Sequence, residues 1–462
     1  MYLSKNIYVN KDLSDLFNID MKNNYIAGVV SPKFNFSENK NYIKSSTNKT
    51  NINIDVLLVN LKQIRKDNMT QKFIELPKNN YNLKAEDIIN IACYGKIIIL
   101  PLKFNAMVSI LKSFNPLWKN LFKEEDIIEA NDSPYIINYS DEKKPWNNID
   151  IYMEKYWWNV AKKTPFIHTV FSRENIYKNE LKKFFYKYHK KKLDFDKLRS
   201  FNEKLQWLKL YDSTPIKTML SDKYLVRKWI KEKIGEEYLI PLLGVYNKFE
   251  EIDFKILPNQ FVIKCNHGSG YNIIVKNKSQ FNLSKAKSTI NKWMGENYAF
   301  KFGLELHYRD IEHKIIIEKY MDDNTGDLRD YKINCFNGKP FFLWVDSERH
   351  SNHKRNLYDL NWTQLPYKVN TKYSTFQSPK KPKCLNKMIE LAFILSKNFA
   401  YVRVDFYVIN NKIYFGEMTF ESTSGTEDIS PSNFERKLSS ILILPELAYN
   451  IDTGEYYKWR KK

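Results

Sequence analysis

The sequence predicts a protein of mixed helices and strands in two units, of α/β class in the first part and α+β class in the second. Three observations lead to this fold class. A chain of 462 residues is longer than a single hydrophobic core usually requires. Short runs of β-branched residues alternate with segments whose apolar residues recur at helical spacing. Residues 401–420 alternate apolar and polar side chains along two arms, which is typical of a β-hairpin.

The composition predicts packed cores and no membrane-spanning helix. Apolar residues make up 43% of the chain and aromatic residues 15%, and there is no apolar run of about 18 residues. The first residues, MYLSKNIYVNKDL, lack the apolar core of a signal peptide. The cysteines are scattered without a CxxC motif, so they give no case for zinc or disulfides and fit a reducing compartment; they are Cys93, Cys265, Cys335 and Cys384. We therefore expect a cytoplasmic protein.

The formal net charge of +21 is distributed over the whole chain. Lysine and asparagine are abundant throughout, and a uniform excess of charge says little about fold. Residues 173–193 are denser in lysine, with aromatic side chains interleaved at a spacing that allows a helix. This stretch either contacts an anionic membrane surface, at the inner face of the membrane, or is a solvated helix between domains. We expect no nucleic-acid partner, because no RNA- or DNA-binding module accompanies the charge.

The order of elements divides the chain into three parts. We place the first unit at residues 1–165, a basic helical connector at 166–195 and the second unit at 196–462. In the first unit the β-branched runs 54–61 and 95–102 predict strands.

The second unit alternates helices and strands. Ser221 or Asp222 can cap a helix that Gly235 can end. The helices that we predict are 201–212, 221–235 and 384–398, and the strands before the hairpin are 261–266, 315–321, 332–338 and 339–347.

The hairpin of residues 401–420 carries acidic side chains on both arms. Two asparagines mark its turn. With a loop of three residues, Asp405 lies opposite Glu417 and Arg403 lies opposite Thr419, all on one face; a two-residue loop would slip the register and separate the carboxylates. Carboxylates together with nucleotide phosphates are the usual ligands of Mg²⁺. The alternative is a solvated sheet face with an ordinary cross-strand pair.

Two further segments of the second unit have features of a nucleotide site. In residues 261–275, Lys264 ends a strand that is followed by the turn His267–Gly270, in which glycines let backbone N–H groups converge on an anion. The turn lacks the GK[ST] tail of a Walker loop and alone is equally typical of a plain hairpin. The strand in residues 315–323 can line an adenine slot with its main chain, or it can be an ordinary core strand.

Taken together and in this order, these segments of residues 196–450 resemble the ATP-grasp superfamily, and more closely its teichuronopeptide-synthesis (TupA-like) branch. The strings that carry the resemblance are FNEKLQWLKLYD, SDKYLVRKWIKEKIGEEYLIPLLGVY, LPNQFVIKCNHGSGYNIIV, IIIEKYM, DYKINCFNGKP and YFGEMTF. The resemblance implies a fold that clamps ATP between two α+β subdomains. It also implies a reaction in which a carboxylate takes the γ-phosphate and an amine then displaces the phosphate to form an amide.

The resemblance also implies roles for particular residues. Asp405 and Glu417 match the magnesium carboxylates, and Thr419 stands where many relatives carry an asparagine as a third ligand, which leaves its metal role open. Arg403 matches an arginine that stabilises the tetrahedral oxyanion, and Lys332 is a candidate for the γ-phosphate. The residues that match ATP contacts are Lys223, Lys264, His267, Gly268, Ser269, Gly270, Glu318, Lys319 and Met321.

Residues 1–165 resemble the C-terminal part of family-8 glycosyltransferases, which have a GT-A type α/β domain. The matching strings are DLSDLFNIDMKNNYIAGV, IDVLLVNLKQIRKDN, EDIINIACYGKIIILPLKFN and YIINYSDEKKPWNN. The family holds a metal with a DxD pair and a histidine, but Ser4, Asn6 and Asn138 stand at those positions here. Further departures are Asp141 in place of a glycine and Ala85, Glu86 and Asp87 in place of DQD, whereas Lys144, Pro145 and Trp146 keep the KPW string.

These departures predict a first unit that does not catalyse. Asparagine is a poor substitute for an ionised carboxylate at Mg²⁺ or Mn²⁺. The chain also starts at the DxD-like strand, so we expect an incomplete domain with an exposed sheet edge.

We therefore expect an ATP-dependent carboxylate–amine ligase in cell-surface polysaccharide or teichuronopeptide-type biosynthesis, with ATP and Mg²⁺ as cofactors. Its partners would be an acidic glycan or peptide acceptor and an amine donor, and a basic surface suits an anionic acceptor. Two alternatives stay open: a family-8 glycosyltransferase of surface glycan synthesis, and a non-enzymatic glycan-binding scaffold.

Overall fold

The computed structural model divides the chain into two compact units, Met1–Ser172 and Arg173–Lys462. The boundary lies inside the stretch that we predicted as a connector. The residues that the structure describes are 1–32, 51–79, 83–112, 121–161, 163–164, 173–322, 328–348 and 352–459.

The first unit is a mixed α/β structure. Its strands are β1 (Tyr2–Leu3), β2 (Ile7–Val9), β3 (Ile26–Gly28), β4 (Val56–Val59), β5 (Ile97–Ile99), β6 (Ala106–Met107) and β7 (Ile136–Asn138). Its helices are α1 (Ser14–Phe17), α2 (Leu61–Lys66), α3 (Met69–Asn79), α4 (Ala85–Ala92), α5 (Val108–Lys112), α6 (Glu124–Asp132) and α7 (Glu154–Ala161). Strands β4 and β5 confirm the two β-branched runs that predicted strands.

Two small sheets organise the first unit. One has the order β1-β4-β3-β5 and the other β2-β7-β6, each with one parallel pair, β3 with β5 and β6 with β7. Buried aliphatic side chains from β3, β4 and β7 pack with α5 and α6 into one core. The β-branched residues favour strands here because they pack well on a pleated, covered surface.

The second unit contains more strands and longer helices. Its helices are α8 (Arg173–His189), α9 (Phe201–Tyr211), α10 (Pro215–Ser221), α11 (Val226–Lys233), α12 (Leu283–Met294), α13 (Leu385–Ser396) and α14 (Ser432–Ile441). Its strands are β8 (Leu242–Tyr246), β9 (Phe261–Cys265), β10 (Asn272–Val275), β11 (Ile315–Lys319), β12 (Asp330–Phe336), β13 (Lys339–Ser347), β14 (Lys354–Tyr358), β15 (Lys368–Val369), β16 (Tyr401–Ile409), β17 (Lys412–Thr419), β18 (Ile429–Ser430), β19 (Leu447–Asn450) and β20 (Glu455–Lys458).

Two antiparallel sheets carry the second unit, and each is covered by a helix. The four-stranded sheet has the order β10-β9-β11-β8 and packs its apolar face against α12. The five-stranded sheet has the order β14-β13-β12-β16-β17 and packs against α13. Side chains alternate between the faces of a strand, so each sheet keeps its second face for polar residues.

The loop of the hairpin β16–β17 is shorter than the three-residue loop that we assumed when we predicted which residues lie opposite each other. Ile409 pairs with Lys412, so the loop consists of Asn410 and Asn411 alone. Both have positive φ, 50° and 60°, as a two-residue turn between twisted strands requires. The premise of a three-residue loop was therefore wrong.

A β-bulge restores the register of the carboxylates. Between Asp405 and Phe406 the pairing shifts by one residue, because Gly416 is an extra residue in β17. Beyond the bulge Asp405 lies opposite Glu417, as we expected. A β-carbon on Gly416 would lie 3.0 Å from the backbone oxygen of Asp405, so the close approach of the strands favours glycine here.

The basic stretch forms helix α8, which packs into the second unit. Tyr177, Leu181 and Phe185 are buried on its inner face. Its lysine-rich outer face is exposed. Within the described ranges, every helix is too short or too polar to cross a lipid bilayer.

Candidate active site

The polar face of the five-stranded sheet, on the side away from α13, forms the centre of the candidate site. Lys332 on β12 pairs with Asp405 on β16, and Asn334 pairs with Arg403. Their sequence neighbours, such as Val404, point into the core beneath α13. The period-two pattern of the strands therefore brings an arginine, a lysine and a carboxylate together on one rigid surface.

Asp405 is held by two cations. Both carboxylate oxygens accept from Arg403, from Nε and Nη2 at 2.7 Å each, and Lys332 Nζ lies 2.7 Å from Oδ2. All three side chains are buried. Burial raises the pKa of Asp405, although Arg403 and Lys332 oppose this effect. Burial would lower the pKa of Arg403, but Asp405 outweighs it and the pKa is raised.

Glu417 and Thr419 complete this face from β17. Arg403 Nη2 lies 3.2 Å from Glu417 Oε1 and 3.1 Å from Thr419 Oγ1, and the Thr419 hydroxyl donates to Glu417 Oε1 over 3.3 Å. One guanidinium nitrogen thus contacts both carboxylates. The Glu417 side chain is 40% exposed, so it faces the solvent side of the site.

The donor set suits Mg²⁺ that arrives with a nucleotide. Among the residues that the structure describes, no three His, Cys, Asp or Glu side chains gather closely enough to hold a metal ion by themselves. Two facing carboxylates and a hydroxyl fit an ion that takes its remaining ligands from phosphates and water. Asp405, Glu417 and Thr419 are the residues here that would hold it.

The four-stranded sheet contributes a second charged cluster. Glu318 on β11 is buried between Lys264 and Arg227: Lys264 Nζ lies 2.6 Å from Oε2 and Arg227 Nη1 lies 3.0 Å from Oε1. Arg227 also donates to the backbone oxygen of Ile240 over 2.7 Å. Glu318 and Lys264 were predicted site residues, whereas Arg227 was missed, because an arginine in a helix gives no signal of a distant acidic partner.

Lys223 lies between the two clusters. Its Nζ donates to the backbone oxygen of Gly268, and its own N–H donates to Asn266 O over 3.2 Å. Burial lowers the pKa of Lys223; Glu417 opposes this effect, and Lys264 adds to it. Lys223 is therefore within electrostatic reach of residues from both sheets.

The turn of residues 267–270 is called the phosphate loop here, because it was predicted to cover the phosphates. Two of its residues are exposed and two are buried. Ser269 and Gly270 are exposed, and Gly270 has φ +74°, which favours glycine. Gly268 is buried, and a β-carbon there would meet the Tyr271 and Tyr298 rings at less than 3.0 Å. The ring of His267 is fully buried. Any contact of this loop with phosphate therefore has to use its main chain or residues other than His267. The family motif alone could not show this.

The remaining predicted ATP residues follow Glu318 at the end of β11. Lys319 is exposed and its N–H donates to Pro241 O over 2.9 Å. Met321 is half-buried. Both lie where the chain leaves the sheet, at the edge of the charged cluster around Glu318.

The sequence analysis missed a polar stripe on α9. Asn202, Gln206 and Lys209 lie on one face of this buried helix and donate to backbone oxygens of residues 424–427. That segment overlaps the turn Ser422–Gly425, in which Thr423 and Ser424 have φ of 44° and 54°. The spacing of these three polar residues by four and three, which places them on one helix face, was a usable signal.

The turn Ser422–Gly425 also touches the site itself. Arg403 Nη1 lies 3.4 Å from Ser422 Oγ, and Ser422 donates to Glu427 Oε1 over 3.3 Å. A second buried pair lies farther along the sheet, where Arg355 contacts both oxygens of Asp346 at 2.6 and 3.1 Å. These residues could not be connected to Arg403 from the sequence alone.

In the first unit, the position of the expected metal ligand is occupied by an amide network. Asn138 Nδ2 donates to Asp55 Oδ2 over 3.0 Å and to Asn105 Oδ1 over 2.8 Å. Asn105 in turn donates to Asn53 Oδ1 over 2.9 Å. Ser4 joins through its backbone N–H, which donates to Asp55 O. The side chain of Asn138 is thus committed to protein partners.

Residues of the string that replaces DQD, and of the retained KPW string, have local structural roles in the first unit. Glu86 accepts from Ser31 Oγ over 3.0 Å, and Asp87 accepts from the N–H of Lys84 at the start of α4. Lys144 donates to Tyr139 O, and the Trp146 ring packs 5.3 Å from Trp157.

Comparison with known families matches both units. Residues 1–150 match the model of glycosyl transferase family 8, and residues 203–443 match that of the TupA-like ATP-grasp. The two matches follow each other in the order that the sequence analysis expected.

The curated relatives that this chain resembles include named glycosyltransferases. A putative glycosyltransferase of Haemophilus influenzae is 27% identical over 155 residues, which is 32% of this chain and 43% of the relative. The lipopolysaccharide 1,2-glucosyltransferase of Escherichia coli is 27% identical over 206 residues, 43% of this chain and 57% of the relative. The chain thus spans less than two thirds of the length of either relative.

Solved structures similar to each unit are distant. The galactosyltransferase LgtC with donor and acceptor sugar analogs shares 20% identity at a TM-score of 0.29, over 36% of this chain and 60% of that chain. The D-alanine–D-alanine ligase of Bacillus anthracis with ATP shares 18% identity at a TM-score of 0.30, over 48% of this chain and 63% of that chain. Since the ATP-grasp model accounts for more than half of its residues, the protein belongs to the TupA-like ATP-grasp family.

Proposed function

We propose that the second unit is an ATP-dependent carboxylate–amine ligase that acts through an acyl phosphate. The observation that carries this proposal is the pairing of Asp405 with Glu417 across two strands, with Arg403 in contact with both. Lys332 Nζ contacts the Asp405 carboxylate, and Lys223 is within electrostatic reach of Glu417. Cations and carboxylates on one rigid surface are what a phosphoryl transfer to a carboxylate requires.

The proposed reaction has two steps. A carboxylate oxygen of the first substrate attacks the γ-phosphorus of ATP, and ADP leaves, which gives the acyl phosphate. The amine nitrogen then attacks the acyl carbon, phosphate leaves, and the nitrogen loses a proton. The products are an amide, ADP, phosphate and a proton.

The residues of the site would act mainly by position and charge. Mg²⁺ bound at Asp405, Glu417 and Thr419 would supply charge neutralisation for the phosphates. Arg403 is held rigidly by Asp405, so its remaining N–H groups are pre-oriented toward the oxygen that becomes negative when the acyl phosphate collapses.

Lys264 and Glu318 suggest how the nucleotide end is prepared. Glu318 Oε2 lies 2.6 Å from Lys264 Nζ and neutralises it. Arg227 holds the other oxygen of Glu318. Lys264 can therefore turn to a phosphate while Glu318 remains paired with Arg227, and no buried carboxylate is left without a cation.

The acceptor that we propose is an acidic glycan or peptide, joined to an amine donor in cell-surface polysaccharide biosynthesis. The net charge of +21 would favour encounter with an anionic acceptor. The names of the curated relatives of the first unit, which are glycosyltransferases, add support from the same chain.

The test is product analysis by mass spectrometry. Wild-type protein and Glu417→Gln are incubated with Mg-ATP, surface-glycan fragments and amino acids. We expect wild-type protein to form ADP, phosphate and a product heavier by the amine less one water, and Glu417→Gln to form none. An unchanged rate in Glu417→Gln would refute the metal assignment.

A glycan-binding scaffold without catalysis predicts a different result. A ligand that binds only the folded state raises the melting temperature. We expect Mg-ATP to raise the melting temperature of the wild-type protein, and to raise the melting temperature of Lys264→Ala by a smaller amount. A wild-type melting curve that does not respond to Mg-ATP would favour the scaffold.

For the first unit we propose a role without glycosyl transfer. The support is the amide network around Asn138, which uses the donor group of that side chain within the protein. Release of UDP from UDP-sugars in the presence of Mn²⁺ is the test. Turnover that is lost in Asn138→Ala would show that the unit is an active glycosyltransferase.

A further inference from the structure

The base of the phosphate loop is tied to the segment that precedes β11. Asn266 makes three hydrogen bonds to this segment: its N–H donates to Lys314 O over 3.0 Å, its Nδ2 donates to Glu312 O over 2.9 Å, and its Oδ1 accepts from the Lys314 N–H over 2.7 Å. Asn266 is fully buried. The two segments therefore move as one body.

Two histidines extend this tie to the end of α12. The rings of His267 and His313 are stacked, with centroids 3.6 Å apart and planes at 11°. His267 Nε2 lies 3.0 Å from Trp293 O, and His313 Nδ1 lies 2.8 Å from Met294 O. Trp293 and Met294 end α12, and Trp293 O accepts from the N–H of Glu296 over 3.0 Å as well as facing His267.

Burial favours the uncharged form of both rings. Burial, His313 and Lys223 together lower the pKa of His267 to about 4, although its contact with Trp293 O opposes them. Burial also lowers the pKa of His313, although its bond to Met294 opposes this effect. A neutral imidazole carries one N–H. The shorter contact of His267 is the one from Nε2 to Trp293 O, since Nδ1 lies 3.4 Å from Asn266 Oδ1, so we assign the N–H to Nε2; in His313 we assign it to Nδ1, which faces Met294 O.

The stacked pair lies next to groups that the ligase reaction would need. Gly268 follows His267 directly, and its carbonyl accepts from Lys223 Nζ. Lys223 is also bonded to Asn266 through its backbone. A displacement of His267 would therefore move both the loop main chain and the lysine.

We propose that His267 and His313 are positioning residues for the triphosphate of ATP, because their stacked rings anchor the phosphate loop to the C-terminal end of α12. The proposal rests on the proposed function. In this proposal His267 does not contact the phosphates itself. It affects ATP binding by holding Gly268 and Lys223 in place. The adenine end of the site, at Glu318 and Lys319, does not depend on this anchor.

Calorimetry on the full chain tests the proposal with two ligands, Mg·AMP-PNP and adenosine. We expect His267→Ala to raise the Kd for Mg·AMP-PNP about tenfold, because it removes a buried donor and the stack. The Kd for adenosine should stay within about twofold. His267→Gln keeps an N–H for Trp293 O and should restore much of the affinity. Ser288→Ala, on the exposed face of α12, is the matched control.

A second variant keeps the test informative if His267→Ala does not fold. His313→Phe keeps an aromatic ring for the stack but removes the donor to Met294 O, and we expect the same selective loss for Mg·AMP-PNP. Equal weakening of both ligands, or no weakening, would overturn the proposal. Wild-type protein that binds adenosine but not Mg·AMP-PNP would refute the ligase itself, and wild-type binding with unaffected variants would refute only the positioning role.

Discussion

Asp405 and Glu417 face each other across two strands but differ in their surroundings. Asp405 is buried with Arg403 and Lys332, whereas the Glu417 side chain is 40% exposed. The same chemical change should therefore have different structural effects at the two positions. Glu417 is the better position for testing the chemistry alone.

We expect Asp405→Asn and Glu417→Gln both to abolish ATP turnover but to differ in stability. Asp405→Asn removes the nearest carboxylate from two buried cations and should lower the free energy of unfolding by about 3 kcal/mol. Glu417→Gln should lower it by less than about 1 kcal/mol. Urea unfolding together with an ADP-release assay measures both effects. Equal stability of the two variants would contradict the role of Asp405 as the partner of Arg403 and Lys332.

The lowered pKa of His267 predicts an acid-sensitive fold. The unfolded chain takes up a proton near pH 6.5, whereas the folded chain takes it up only near pH 4. The histidine therefore adds stability that is complete above about pH 6.5 and disappears as the pH falls toward 4, on the order of 3 kcal/mol. The difference in unfolding free energy between wild-type protein and His267→Gln, measured across this range, should shrink as the pH falls. A constant difference would contradict burial of the neutral ring.

At the scale of elements, the bulge in β17 sets the geometry of the site. A hairpin with a two-residue loop and regular pairing would place Asp405 opposite Gly416 and turn Glu417 to the other face. The extra residue cancels that slip. Glycine suits the position because the backbone oxygen of Asp405 comes so close.

We expect Gly416→Val to disturb this register. Its β-carbon would lie 3.0 Å from Asp405 O and 3.3 Å from the Tyr407 ring, so the strands must separate. The free energy of unfolding should fall by about 1–3 kcal/mol, and ATP turnover should fall with it. Gly295→Ala is a suitable control, because its β-carbon would meet only atoms at 3.6 Å. If Gly416→Val hydrolysed ATP at the wild-type rate, the carboxylates would tolerate another register.

The hairpin also shows how far the sequence predicts this fold. The alternation in residues 401–420 predicted both strands and which side chains share a face. It did not predict the bulge, because a glycine in a strand is consistent with a bulge, a bend or neither. The same holds for His267. The motif identified the loop, but it could not show that the ring of His267 stacks on His313, which is 46 positions later in the sequence.

The turn Ser422–Gly425 is a second feature that only the fold reveals. Its residues with positive φ are held by side chains of α9, which is more than 200 positions earlier in the chain. Strained backbone persists only where surrounding structure fixes it. The string FNEKLQWLKLYD supported the family assignment, and the structure gives part of it a physical reason: its polar stripe holds a turn that touches Arg403.

At the scale of the whole molecule, each unit has its own core and its own match to a known family. In the first unit the family resemblance predicted which positions correspond to the family's metal ligands, and the structure adds that Asn138 is bonded to Asp55 and Asn105. This network could not be read from the sequence, because Asn53, Asp55 and Asn105 lie on other segments from Asn138.

The exposed end of α8 is the feature of the second unit that fits an anionic membrane surface. Its inner face is buried, and the exposed aromatic side chains at this end are Tyr186 and Tyr188, which do not form a continuous apolar face. The lysines at this end and just beyond it are exposed: Lys182, Lys183, Lys187, Lys190, Lys191 and Lys192. Any contact with lipid would therefore be electrostatic, on the order of 1 kcal/mol for each lysine near the surface.

We expect the full chain to sediment with vesicles rich in phosphatidylglycerol and not with phosphatidylcholine vesicles, and to be released by salt, because the Debye length falls to about 3 Å at 1 M. Replacement of Lys187, Lys190, Lys191 and Lys192 by glutamine should weaken vesicle binding at least about tenfold. The control replaces four exposed lysines elsewhere, Lys276, Lys285, Lys287 and Lys292, and so removes the same net charge. Equal weakening in both variants would attribute binding to the total charge of the chain, and wild-type binding to phosphatidylcholine would show that charge is not the cause. Selective loss in the first variant would make α8 the part of the second unit that faces the membrane.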